Sequence, residues 1–142
     1  MMKKIYEILD CKIEISADFE WEERDNLKPF VSEGKADFCF EIRRGISSNL
    51  NALMYMGKEK WITELRDKDT GNWVRKFAWY SEQDVVAWQR DERCWEVEVS
   101  DEHFEKLTKS DILGLIPLER IINDIYGMML HSSVVDWDGR GI

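Results

Sequence analysis

The sequence predicts an α+β fold: a mostly antiparallel β-sheet, one clear helix over residues 117–126, then a strand and a partial hairpin. Three observations predict it. First, apolar and polar residues alternate strictly in several runs. Phe38, Phe40 and Ile42 alternate with Cys39, Glu41 and Arg43, and Trp95, Val97 and Val99 with Glu96, Glu98 and Ser100. Period two marks a half-buried strand. Second, short polar turns separate successive runs, which favours antiparallel neighbours. Third, helical spacing is clear once, where Leu118, Ile121, Ile122 and Ile125 follow Pro117. Proline suits the first helical position because it has no amide hydrogen to satisfy, and Gly127 stands where a helix ends in a left-handed residue.

The elements follow in chain order. Residues 5–9 and 12–16 read as strands around a tight turn at Asp10-Cys11. Residues 18–26 form an acidic loop or a single helical turn carrying Phe19 and Trp21, and Pro29 ends it by keeping Lys28 out of the helical region. Residues 37–44 are a strand, and the Ser-, Asn- and Gly-rich residues 45–51 a flexible loop. A meander follows, with strands at 60–66, 73–80, 84–90 and 94–100. Its first turn, 67–72, holds Gly71 for a positive φ. Ser100, with Asp101 and Glu102 behind it, has the character of an N-terminal cap for a short helix over 101–109. Residues 110–116 read as a turn or short helix. Residues 128–136 read as a strand, and Asp138-Gly139 is a hairpin signal.

Composition narrows the function. The 142 residues fit one β-rich domain or part of one. Twenty basic residues against 29 acidic give a net charge of −9, which argues against nucleic acid and against anionic membrane surfaces. No run of about 18 apolar residues predicts a transmembrane helix, and acidic residues interrupt any secretory signal after Lys3-Lys4, so a cytoplasmic location is expected. Cys11, Cys39 and Cys94 are odd in number and widely spaced, without a CxxC pair. Free thiols are therefore expected, with neither a zinc site nor a disulfide framework.

One stretch resembles a known family. The run from Gly127 through Leu130-His131-Ser132-Ser133-Val134-Val135-Asp136 to Asp138-Gly139-Arg140-Gly141-Ile142 is similar to the segment just upstream of the phosphate-binding loop in HPr kinase-like proteins, which share a nucleotide-binding core with ATP-dependent phosphoenolpyruvate carboxykinases. Leu27-Lys28-Pro29-Phe30 and Ala36-Asp37-Phe38 loosely resemble their N-terminal part. The resemblance implies an N-terminal domain or partial domain over 1–142, with 117–142 as the start of the nucleotide-binding core. It implies scaffolding or substrate selection in phosphoryl transfer. No GxxxxGK[ST] occurs in the sequence, so catalysis by this chain alone is not expected. ATP and magnesium are implied only for a full-length relative.

Candidate residues follow from these readings. His131, Asp136, Asp138 and Arg140 are nucleotide-proximal candidates, each against a plainer role as strand or turn residue. Trp61, Trp73, Trp79 and Trp95 fall on neighbouring predicted strands. They form either a core or an aromatic face that binds a peptide, and core is the favoured reading because each ring buries so much surface. The second functional reading is accordingly a non-catalytic protein- or peptide-binding module. Self-association through an unfinished edge strand at 140–142 is a third, since open edges recruit strands. His103 and the acidic run Glu20, Glu22, Glu23 and Asp25 read as solvated, and no catalytic or metal-ligating set is expected.

Overall fold

In a computed structural model, which describes residues 2–23, 27–47, 49–106 and 112–117, the alternating runs assemble into a single nine-stranded sheet. The strands are β1 (Met2–Ile8), β2 (Cys11–Ala17), β3 (Val31–Ser32), β4 (Phe38–Arg44), β5 (Met54–Glu59), β6 (Ile62–Arg66), β7 (Trp73–Phe77), β8 (Val85–Gln89) and β9 (Cys94–Val99). A short helix, α1 (Asp101–Lys106), follows β9, and single 3-10 turns occupy Lys28–Phe30 and Ile112–Leu115. The α1 start is capped as its sequence predicts, with the His103 amide donating to Ser100 Oγ at 3.0 Å. The expected helix beyond Pro117, the strand at 128–136 and the partial hairpin lie outside the described residues.

The sheet is β-rich as expected but not simply antiparallel. Its order is β3-β1-β2-β4-β9-β8-β7-β6-β5. The outer pairs are antiparallel, whereas β2 with β4 and β4 with β9 are parallel at the centre. The reason lies in the connections. Residues 18–37 carry the chain back before β4, and the β5–β8 meander returns it as β9 on the other side of β4. Alternation reveals which face a strand buries, not which strand lies beside it.

Residues paired across the ladder share a face. One face carries Tyr6, Ile13, Ile15, Phe40, Ile42, Val97, Val99, Val85 and Ala87 into the main core. Trp21, Leu27, Leu115 and Ile116 cover it from outside the sheet. On the opposite face, Leu65, Val74 and Val86 form a smaller core under Ile46, Leu50 and Leu53. The stretch expected to be a flexible loop is thus a lid on this second core, because its apolar residues are spaced among the polar ones.

Trp21 is the main anchor of the 18–23 segment. It is fully buried, and its indole nitrogen donates to Tyr6 Oη at 2.8 Å. Tyr6 donates in turn to Glu23, which also meets Lys4 at 2.8 Å. Glu23 is therefore part of a folded network and not of the solvated run expected. Burial opposes its charge, but the Lys4 and Tyr6 hydrogen bonds prevail and hold its carboxyl below the ordinary range. His103 is likewise buried, stacked on Trp79 with ring centroids 5.1 Å apart, where solvation was expected.

Candidate functional site

Two surface features stand out among the described residues. The first is an open cleft of about 740 Å³ at one end of the sheet, lined by the β1–β2 turn, the starts of β2 and β4, and the β8–β9 turn. Leu9, Asp10 and Cys11 line it from the β1–β2 hairpin, Asp37 and Phe38 from the start of β4, and Gln89, Glu92 and Arg93 from the β8–β9 hairpin. The β1–β2 turn consists of Leu9 and Asp10, one residue earlier than expected, because Cys11 already pairs with Ile8. Both turn residues have positive φ, 52° and 61°, a conformation that glycine or asparagine adopts more cheaply.

The cleft walls are tied down by their own backbone. Asp37 donates its amide to the Lys12 carbonyl at 2.7 Å and accepts the Lys12 amide on Oδ2 at 2.8 Å. Asp91 Oδ1 accepts the amides of Arg93 and Cys94 at 2.8 and 2.9 Å. Cys11 is buried in the wall. Burial, and secondly the Asp37 carboxylate, push its thiol up, so it stays neutral and is a poor nucleophile.

The cysteines correct the expectation of free thiols. Cys39 and Cys94 form a disulfide, with Cα atoms 4.7 Å apart, and Cys11 alone is free. The parallel β4–β9 ladder sets the two residues opposite each other. Their separation of 55 residues hid this in the sequence.

The second feature is the β5 edge. Met54, Tyr55 and Met56 are all exposed, at 38, 64 and 43 %, and Trp61 in the β5–β6 turn is 46 % exposed. The register shifts between Tyr55 and Gly57, so Met56 sits in a bulge, and Lys58, Glu59 and Lys60 follow. Bulges and charges blunt an edge against indiscriminate pairing. They leave the Met54–Met56 half as an apolar strip. This strand went unpredicted because apolar residues at three consecutive positions carry no period.

The four candidate tryptophans do not share one surface. Trp95 is buried, stacked on Phe40 with centroids 6.4 Å apart. Trp73 and Trp79 are half-buried against the main core. Trp61 alone of the four is exposed. The candidates His131, Asp136, Asp138 and Arg140 lie outside the described residues. Within them, no group of three or more His, Cys, Asp or Glu side chains is placed to hold a metal, and no helix is long and apolar enough to cross a membrane. Comparison with known proteins finds no matching family model, curated protein or solved structure.

Proposed function

We propose that this chain is a substrate-selecting lobe of an HPr kinase-like protein, acting in the cytoplasm and recognising a protein partner through the β5 edge. The observation that carries the binding role is the exposed run of Met54, Tyr55 and Met56 on the edge strand, with Trp61 exposed in the turn at the far end of that strand. Methionine adapts its shape to a partner, and Tyr and Trp bring large contact areas at low entropic cost. The kinase connection is supported by the residues from Gly127 to Ile142. Phosphoryl transfer belongs to a phosphate-binding loop that this sequence does not contain, and ATP with magnesium belongs there too.

A nuclear magnetic resonance titration with purified HPr tests the reading. Amide shifts on Met54–Glu59 and on the Trp61 indole are expected, and Tyr55→Lys with Met56→Lys should abolish them. Absence of shifts at saturating HPr, or shifts elsewhere only, overturns it. Calorimetry supplies a second check: this chain should bind ATP no more tightly than about millimolar, for want of a phosphate cradle. Tighter magnesium-dependent binding contradicts the assignment. A second reading keeps the strip but drops the kinase: an independent peptide-binding module. The codons downstream of Ile142 separate the two, since a Gly-Lys-Ser or Gly-Lys-Thr loop in or near frame favours the kinase.

A further inference from the structure

We infer that Cys39 and Cys94 are a thiol–disulfide couple, exchanging with low-molecular-weight thiols, whose oxidised form latches two walls of the cleft together. The inference is independent of the partner proposed for β5. It rests on where the cystine sits. Asp37 and Phe38 line the cleft and immediately precede Cys39, and Glu92 and Arg93 line it and immediately precede Cys94. The Cys39 amide donates to the Arg93 carbonyl at 2.9 Å, so the two walls already meet through the backbone at this point. Successive strand residues point to opposite faces. Phe38 therefore faces the cleft and core side, while the cystine fastens β4 to β9 from the other side of the sheet, where both cysteines are only half-buried. No element carrying the other cleft wall, the Leu9-Asp10 turn, is bound by it.

The exchange balances as a two-electron reaction. A glutathione thiolate attacks one cystine sulfur, the Cys39–Cys94 bond breaks, and a mixed disulfide forms. A second glutathione thiolate attacks that mixed disulfide, releasing oxidised glutathione and leaving both cysteines reduced, each taking up a proton. The reverse sequence, with oxidised glutathione as oxidant, restores the latch. This step rests on the cytoplasmic location proposed above, where the surrounding reducing thiols supply the exchange partner and a half-buried cystine is open to attack.

Cys11 makes the idea testable, because it lines the opposite wall and is the one free thiol both in the oxidised protein and in the Cys39→Ser, Cys94→Ser double variant. Its alkylation rate therefore reads the cleft directly in each. With the latch absent, Cys11 alkylation should rise about tenfold, and by the same factor with no denaturant and with low urea, as local opening requires. Wild-type protein equilibrated across glutathione mixtures should gain Cys39 and Cys94 thiols together, which quenched alkylation and mass analysis will count. Three results overturn the inference: a reduced protein that does not form the Cys39–Cys94 bond in excess oxidised glutathione; an unchanged Cys11 rate; or a rise that follows urea with the steepness of global unfolding. Should the double variant fold poorly, glutathione-reduced wild type gives the same reading, with Cys11 followed by peptide mapping.

Discussion

Asp84 shows how much one side chain organises in this chain. It is fully buried at the start of β8, and it closes the β7–β8 connection by accepting the amides of Trp79, Tyr80 and Ser81 and the Ser81 hydroxyl. Burial penalises its charge, yet these donors outweigh that penalty and hold its carboxyl below the ordinary range. A group with a depressed folded pKa stabilises the protein fully above its unfolded pKa and loses that contribution as pH falls through the folded value. Asp84→Asn should therefore cost about 2–3 kcal/mol at neutral pH, since an amide oxygen replaces a charged acceptor of several hydrogen bonds. Urea midpoints for wild type and variant check this, and the gap should narrow as both are taken below the carboxylate range. A gap that is absent at neutral pH, or widens in acid, contradicts the role. In the sequence Asp84 looks like one more polar residue after a turn. What buries it is the pairing of β8 with both β7 and β9, which no local pattern encodes.

At the scale of elements, strands with clean alternation were legible and their joints less so. β4 and β9 fall within a residue of their expected bounds because Phe38, Phe40, Ile42, Trp95, Val97 and Val99 all face one core. β5 was invisible because neither of its faces is buried. The β1–β2 turn was displaced by one residue because Leu9 gives no signal of a left-handed conformation, whereas the Gly71 turn did and has φ 75°. That hairpin is strained by choice of residue. Leu9→Asn with Asp10→Gly supplies the pair this turn geometry prefers. A left-handed leucine costs about 1–2 kcal/mol, whereas aspartate tolerates this conformation, and glycine at position 10 gives back part of the gain as lost chain entropy. A net gain of about 1 kcal/mol in thermal or urea unfolding is expected. Unchanged or reduced stability would mean that Leu9 and Asp10 make compensating contacts across the cleft. The tryptophans belong to the same scale: Trp73 and Trp95 do lie on strands, but β8 separates β7 from β9 and Trp79 falls in the β7–β8 connection, and of the four candidates Trp61, in the β5–β6 turn, is the exposed one.

The whole sheet poses a question that its strand list does not answer: whether the β5–β8 meander is a lobe apart from the β1–β4 half. The pairing argues for one cooperative unit. β9 bonds to β4 on one side and β8 on the other, so no gap divides the ladder. β8 is also where the two cores meet. Its Val85 and Ala87 enter the main core, while Val86 between them enters the smaller one on the reverse face. Opening either core must therefore displace the same strand. Phe40→Ala in the main core should cost about 3–5 kcal/mol, and Val86→Ala in the smaller one about 2 kcal/mol. Both should move a single transition, seen at the same urea concentration by far-ultraviolet circular dichroism and by tryptophan fluorescence. The fluorescence is well distributed for this purpose, since Trp21 and Trp95 lie in the main core and Trp88 packs against the smaller one. If Val86→Ala instead splits off an early transition at which Trp21 stays buried, the meander unfolds alone. The β5 edge would then sit on a separable lobe, and β8 would not join the two cores into one cooperative unit.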